Sequence, residues 1–144
     1  MEFCSKIISI DDNYEKSPKV KAHIWDTSGQ ERYREISRVH NRGAKCVFLV
    51  YDISDRKTFM GIENWWTDVK MYGEKNPTVT LVGNKCDLSD RRQVGVEEAM
   101  LYAQSRGFYF METSAMANEN VERAFVDNFR SAFNAEERKL KERF

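Results

Sequence analysis

The sequence predicts an α/β fold in which a mostly parallel sheet carries helices on both faces. Apolar, β-branched runs bounded by turn residues recur along the chain, and segments of helical periodicity separate the later runs. Such alternation of strands and helices is typical of parallel sheets that are covered on both sides. The predicted strands lie near residues 3–10, 19–26, 45–52, 78–84 and 108–112.

The first two predicted strands have only a short polar segment between them. Residues 11–18 are rich in turn-forming residues and include Pro18. The segment therefore predicts an antiparallel hairpin at the start of the chain.

Three later segments have apolar residues at helical spacing. Gly73 and Gly107 follow the first two of these segments and are suited to ending a helix. The predicted buried faces consist of Phe59, Ile62, Trp66 and Val69; of Ala99, Tyr102 and Ala103; and of Val121, Ala124, Phe125, Phe129 and Phe133.

Composition narrows the functional classes. The 144 residues suit a single domain, and 23 basic residues balance 23 acidic ones, so no general attraction to nucleic acid or anionic membrane is expected. Three cysteines without metal-ligand spacing indicate reduced thiols in the cytosol. We expect no membrane-spanning helix, no secretory signal and no prenylated cysteine in this sequence.

The segment Asn84-Lys85-Cys86-Asp87 follows a predicted strand and has the chemistry to recognise guanine. The Asp87 carboxylate can accept from both N1–H and N2–H of guanine, whereas adenine offers it a ring-nitrogen acceptor. A buried polar group left unpaired costs about 1–3 kcal/mol, so the wrong base is disfavoured. The stem of Lys85 can cover the base, Asn84 can brace neighbouring loops, and the amide of Ala115 can donate to guanine O6.

Alone, such a segment can equally be a strand-ending turn with an exposed charged pair. Two further motifs favour the guanine interpretation. A Gly-Gln pair, Gly29-Gln30, precedes it, and Thr113-Ser114-Ala115 follows a later strand. Parallel sheets bind ligands at the carboxyl ends of their strands, where all three motifs are predicted to lie.

Together these motifs resemble those of a small GTPase of the Ras superfamily, specifically its Rab branch. The resemblance runs from about residue 2 to residue 135 and implies a P-loop NTPase-like, Ras-like fold with strand order 2-3-1-4-5-6. We expect an N-terminally incomplete Rab-like domain at 1–136, without the family's first strand and first helix, and a charged helical extension at 137–144. The matching segments are 24–34 (Ile-Trp-Asp-Thr-Ser-Gly-Gln-Glu-Arg-Tyr-Arg), 42–44, 49–53, 83–88 and 112–115.

The resemblance implies GTP or GDP and Mg²⁺ as cofactors. It assigns Asp26 to the magnesium ion through water and Gln30 to orienting the water that attacks GTP. Considered singly, Asp26 could cap a strand end and Gln30 could be a solvated loop residue. The nucleotide-binding set that the resemblance implies is Gly29, Asn84, Lys85, Asp87, Ser114, Ala115 and Met116.

The phosphate-binding loop of this family is absent from the sequence, because Gly-x-x-x-x-Gly-Lys-Ser/Thr occurs nowhere in it. Its loss removes several charge-assisted hydrogen bonds, and we expect nucleotide affinity to be lower by roughly 10⁵-fold. The whole protein is expected to hydrolyse GTP as a switch in membrane traffic, and this chain alone to be a poor enzyme. The alternative is a nucleotide-free, Rab-shaped interaction module within a larger assembly.

The family's first strand lies in the middle of the sheet. Without it, the strands predicted at 19–26 and 45–52 should face a gap with bare, aggregation-prone edges. We expect a longer parent chain, a partner or a swapped copy to supply the missing segment.

Partner binding is expected beside these motifs. By resemblance, Phe3, Trp25 and the region 28–44 should contact effectors, exchange factors and GTPase-activating proteins, with a preference altered by His40 at the third aromatic position. His40 as a metal ligand or base is the alternative, although no second ligand lies at suitable spacing. We expect no nucleic-acid partner and a cytoplasmic location, with membrane association only through a prenylated tail of a full-length form.

Overall fold

The computed structural model describes residues 1–11 and 15–144, which form five strands and five α-helices. Short 3₁₀ helices cover Glu31–Tyr33 and Cys86–Arg91. The strands are β1 (Glu2–Ser9), β2 (Lys19–Asp26), β3 (Cys46–Asp52), β4 (Thr78–Asn84) and β5 (Tyr109–Glu112), and the helices are α1 (Arg34–Asn41), α2 (Arg56–Met60), α3 (Ile62–Tyr72), α4 (Val96–Arg106) and α5 (Val121–Glu142).

The predicted hairpin is confirmed. Strands β1 and β2 pair in antiparallel register, from Glu2 opposite Asp26 to Ser9 opposite Lys19. Residues 12–14, in the segment that joins them, lie outside the described part of the chain. All five predicted strands are present, and their ends differ from the predicted ones by one residue at most.

A second sheet contains β3, β4 and β5 in that order, and all three strands are parallel. Helices connect them, as the alternating pattern predicts. Strand β4 lies in the centre and is apolar and buried over most of its length, which is typical of a strand covered on both faces. The parallel arrangement brings the carboxyl ends of β3, β4 and β5 to one edge.

Successive residues of β3 point to opposite sides of this sheet. Leu49 and Tyr51 join the main core with Ile62 of α3, while Phe48 packs against Phe125 of α5 at a ring-centroid distance of 4.9 Å. Helices α3 and α5 therefore cover opposite faces, as the fold class predicts.

The predicted helix through residues 59–69 is divided at Gly61 into α2 and α3. The amide of Gly61 donates to Lys57 O at 3.0 Å, and the amide of Asn64 donates to Gly61 O at 3.1 Å. These bonds tighten the chain into a turn, and the apolar spacing continues across it, so periodicity alone predicts one helix. The predicted end of α4 at Gly107 is confirmed, since its φ of 71° is a left-handed conformation that favours glycine.

The two sheets do not pair with each other in the described residues. A cavity of about 1100 Å³ lies between them and is lined by residues of β2, β3 and α5. Val50 of β3 lines this cavity and is 55% exposed although it is apolar. The predicted gap with bare strand edges is thus present in the structure.

No helix in the described ranges combines the length and apolar composition that crossing a bilayer requires.

Candidate functional site

The candidate site is built from the loops that follow β4 and β5. Lys85 adopts a left-handed conformation (φ 64°, ψ 36°) and turns the chain from β4 into the short helix Cys86–Arg91. The Thr113 amide donates to Gly83 O at 2.9 Å, and the Cys86 amide donates to Thr113 O at 3.0 Å. The parallel ladder therefore continues into a pair of interlocked loops.

Asn84 holds the two loops together through its side chain. Its Oδ1 accepts from the hydroxyl of Thr113 at 3.1 Å and from the amide of Ala115 at 3.2 Å. Thr113 is buried, so this contact fixes the second loop against the end of the sheet. The Ala115 amide, which the resemblance assigns to guanine O6, is directed towards Asn84 here and would have to be shared with a bound base.

Asp87 lies on the exposed side of the same loop pair. Its Oδ1 accepts a 2.6 Å hydrogen bond from the hydroxyl of Ser114, and that hydroxyl in turn accepts from the amide of Ala117 at 2.9 Å. Ser114 is fully buried. In the described part of the chain Oδ2 of Asp87 has no hydrogen-bond partner, so the carboxylate is oriented and keeps acceptor capacity. This arrangement fits the N1–H and N2–H pair of guanine.

Lys85 is fixed by a residue that the sequence analysis missed. Its Nζ lies 2.7 Å from Oδ2 of Asp52, and Oδ1 of Asp52 accepts from the amide and hydroxyl of Ser54 at 2.8 and 2.6 Å. Burial acts to raise the pKa of Asp52, but the bonds from Lys85 and Ser54 hold it below its ordinary value. Asp52 lies opposite Asn84 in the β3–β4 register, so the rule that ligands lie at strand ends could have identified it.

The residues predicted for the phosphate end lie on the other side of the cavity. Asp26 is the exposed last residue of β2, and both Asp26 and Gly29 line the cavity that also reaches Asn84. Gln30 is not among the residues that line this cavity, and its Oε1 accepts from Nε of Arg32 at 2.7 Å. Its predicted role in orienting water stays a prediction.

Met116, also assigned to nucleotide binding, is 89% exposed beside the Ala115 loop.

The described residues do not by themselves form a magnesium site. They contain no group of three His, Cys, Asp or Glu side chains that could hold a metal ion. Mg²⁺ prefers about six oxygen ligands in octahedral geometry, and Asp26 supplies only one carboxylate. The residues thus fit the guanine base but not the metal.

An aromatic surface, defined here as Phe3, His23, Trp25 and His40, lies on the β1–β2 hairpin and α1. The ring centroids of Phe3 and Trp25 are 4.6 Å apart, and those of Trp25 and His40 are 4.5 Å apart. Phe3 and Trp25 are about half exposed. His40 is thus part of a ring contact, and the described residues offer it no partner ligands for a metal.

An ion-pair cluster anchors α1 to α3. Asp68 is buried and accepts from Nε of Arg34 and, at 3.3 Å, from Nη2 of Arg38. Burial acts to raise the pKa of Asp68, but the two guanidinium groups lower it below its ordinary value. The region 28–44 is therefore attached to α3 through the first half of α1.

Comparison with known proteins agrees with this arrangement. A family model described as "Ras family" matches residues 1–134. Ras-related protein Rab-4A of Bos taurus and of Homo sapiens are each 46% identical over 134 residues, and Ras-related protein Rab11D of Nicotiana tabacum is 42% identical over 134 residues.

These matches cover 93% of this chain but 58–59% of the relatives' lengths, so the chain spans about three-fifths of the proteins it resembles. The predicted fold class is confirmed as a Ras-like fold in which a parallel three-stranded sheet and its helices form part of a P-loop NTPase domain. The chain belongs to the Ras superfamily and, within it, to the Rab family of small GTPases.

Proposed function

We propose that this chain is the guanine-reading part of a Rab-type switch that, as a whole protein, binds GTP and hydrolyses it to GDP in membrane traffic. The observation that carries the proposal is the loop pair after β4 and β5. There a buried serine, Ser114, orients the exposed carboxylate of Asp87, and Asn84 braces the neighbouring amide.

Base selection follows from the donor and acceptor pattern of this loop pair. Asp87 accepts the two N–H groups on one edge of guanine, and the Ala115 amide lies on the side where O6 would be bound. Adenine would place an acceptor against the carboxylate and a donor against the amide. Each mismatch leaves a polar group unpaired at a cost of about 1–3 kcal/mol.

The hydrolytic half of the proposal assigns Gln30 to orienting the attacking water and Gly29 to contacting the γ-phosphate. Gln30 is bound to Arg32 in this structure, so this bond must break before the amide can reach a nucleotide. A water-mediated contact of Asp26 to Mg²⁺ would need further oxygen ligands, because the described residues form no metal-binding group. The missing phosphate-binding motif makes efficient hydrolysis by these 144 residues alone unexpected.

A second candidate is a nucleotide-free interaction module with the shape of a Rab protein. It is favoured by the aromatic surface, whose ring contacts lie on the β1–β2 hairpin and α1. We propose this surface and the region 28–44 as the contact site for effectors, exchange factors and GTPase-activating proteins. The corresponding location is the cytoplasm, with membrane attachment through a prenylated tail in a longer form.

Intact-mass measurement of the native protein, with extraction of bound nucleotide, separates the two candidates. A longer chain that carries GDP or GTP supports the switch. A 144-residue species in a stable nucleotide-free complex supports the module instead.

Testing the role of Gln30 requires a form of this protein that binds the phosphates of GTP. A family phosphate-binding segment would be added, and GTP turnover compared between this protein and its Gln30→Leu variant. We expect turnover to fall at least about 100-fold at unchanged GTP affinity. Equal turnover in the two proteins would contradict the assignment.

A further inference from the structure

An ion pair joins the two loops that follow β4 and β5, and the proposed function assigns it no role. Arg92 directly follows the short helix Cys86–Arg91, which contains Asp87. Glu112 is the last residue of β5 and directly precedes the loop that contains Ser114. The two side chains meet across 20 positions of sequence. Their contact therefore lies where it can fix the distance between the two loops.

The contact between Arg92 and Glu112 consists of two parallel hydrogen bonds. Nη1 of Arg92 donates to Oε1 of Glu112 at 2.6 Å, and Nη2 donates to Oε2 at 2.9 Å. Nη1 also donates to Val94 O at 3.0 Å, which attaches the guanidinium to the backbone of its own loop. A planar guanidinium that binds both oxygens of a carboxylate fixes direction as well as distance, and the single ammonium group of lysine does not reproduce this geometry.

Both side chains of this pair are largely withdrawn from water. The side chain of Arg92 is 24% exposed and that of Glu112 is 17% exposed, whereas the surface pair of Lys6 and Glu122 has 58% and 77%. Exposed pairs contribute little, while a shielded bidentate pair keeps its geometry. The bonds to Glu112 raise the pKa of Arg92 above its ordinary value although burial acts to lower it, so the guanidinium stays charged.

The loop after β5 is closed by bonds that begin at Glu112. The carbonyl oxygen of Glu112 accepts from Nδ2 of Asn120 at 3.1 Å. Within the loop, the backbones of Ser114 and Glu119 exchange two N–H···O bonds of 3.0 and 2.9 Å. Because the loop is closed in this way, the place of the Ala115 amide follows the position of Glu112.

The short helix Cys86–Arg91 is attached to the loop after β5 near both of its ends. Near its start, Asp87 accepts the single hydrogen bond from Ser114. Just after its end, Arg92 makes the two bonds to Glu112. One hydrogen bond leaves the helix free to turn about that contact, and the bidentate pair restricts this rotation. The direction of the second oxygen of Asp87 therefore depends on both attachments.

We propose that Arg92 is a positioning residue for base recognition, which holds the Asp87 carboxylate and the Ala115 amide at the separation that guanine requires. It acts through Glu112 and does not itself contact the base. This inference rests on the proposed function, because it assigns a role within the same site. Loss of the pair should loosen the two loops locally and reduce base preference, while the rest of the fold keeps its stability.

Hydrogen exchange of the 144-residue chain tests this coupling without a ligand. Arg92→Gln removes the pair, and Arg92→Lys is the milder change that keeps the charge. The control Arg106→Gln breaks a 2.9 Å contact with Glu63 between α4 and α3. We expect exchange at the Cys86 and Ala115 amides to be at least about 10-fold faster in both Arg92 variants and within about 2-fold of the original in the control. Unchanged exchange, or equal acceleration throughout β4, would overturn the proposal.

Base preference is the second readout, followed by the NMR shift of the Ala115 amide with guanosine at about 1 mM. A roughly tenfold loss of affinity from a millimolar dissociation constant lowers this shift about fivefold. We expect such a loss in Arg92→Gln and in Glu112→Gln, and no greater loss in the double variant, because both changes break the same contact. Additive losses in the double variant would contradict the proposal.

The two readouts separate the role of Arg92 from the proposed function. Equal shifts with guanosine and adenosine in the original chain would overturn the proposed function, and this inference with it. A guanosine preference that survives in Arg92→Gln, together with unchanged exchange at the Cys86 amide, would leave the proposed function intact and overturn only the role of Arg92.

Discussion

Ser114 donates a 2.6 Å hydrogen bond to Oδ1 of Asp87 across 27 positions of sequence. The hydroxyl is fully buried and the carboxylate is exposed, so the contact joins the interior of the β5 loop to the surface of the β4 loop. Both residues are polar groups at the ends of neighbouring parallel strands, which is where such sheets bind ligands. Asp87 is the acidic residue of the predicted base-reading set, and this contact orients its exposed carboxylate.

Replacing Ser114 with alanine should weaken this orientation. The change removes a charge-assisted hydrogen bond and the acceptor of the Ala117 amide, so we expect the free energy of unfolding to fall by about 1–3 kcal/mol. Urea denaturation measures this loss. Ser105→Ala is the matched control, because its exposed hydroxyl bonds only within α4, and it should change stability by no more than about 0.5 kcal/mol. Equal losses in the two variants would contradict the account.

Replacing Asp87 with alanine should abolish base preference. We expect guanosine to shift the NMR amide signals of Asp87 and Ala115 in the original chain more than adenosine does, because only guanosine donates two N–H groups to the carboxylate. Asp87→Ala should make the two nucleosides equivalent. Asp90→Ala, in the same short helix, should keep the preference. A preference that survives in Asp87→Ala would show that another group reads the base.

Asp68 should make stability depend on acid pH. Its pKa is lower in the folded protein than the ordinary value of about 3.9, so its contribution is present above about pH 4 and is lost as pH falls through the folded value. Asp68→Asn should destabilise the protein by about 2 kcal/mol at pH 7, since two guanidinium groups lose a buried carboxylate.

Urea midpoints between pH 6 and pH 2.5 measure this dependence. The difference between the original chain and Asp68→Asn should shrink below about pH 4. Asp90→Asn, at an exposed position, should follow the original chain at every pH. A difference that stays constant down to pH 2.5 would mean that Asp68 acts through packing alone.

The cysteines should differ in reactivity. Burial raises the pKa of the Cys46 thiol to about 11, whereas Cys4 is exposed. Because the thiolate is the reactive species, we expect Cys46 to be alkylated roughly 100-fold more slowly than Cys4 at pH 8. Peptide mapping after iodoacetamide treatment measures both rates. Similar rates would show that the cavity between the two sheets is open to solvent at Cys46.

Most of the fold could be predicted because its elements are bounded by local signals. The strand runs end at turn residues, and Gly107 ends α4 where its sequence position indicates. The division of α2 from α3 could not be predicted, since the spacing of Phe59 and Ile62 suits one continuous helix. The hydrogen bonds of the Gly61 backbone form the turn that separates α2 from α3.

Part of the site could be identified only from the structure, because its contacts join segments that are far apart in the sequence. The loops after β4 and β5 were predicted as neighbours, since parallel strands bring their carboxyl ends together. The strand order that the resemblance implies places β3 beside β4, but no local pattern indicates that the Lys85 side chain turns back to Asp52. The anchoring of Arg34 by Asp68 has one sequence signal, an acidic residue next to the apolar face of α3.

The central claim is that this chain recognises the guanine base and lacks the groups that hold its phosphates. Titration of the 144-residue chain with guanosine and with GTP plus Mg²⁺, followed by calorimetry or NMR, tests it directly. We predict weak dissociation constants, on the order of millimolar, that agree within about 10-fold. Binding of GTP at least about 1000-fold tighter than guanosine would contradict the account.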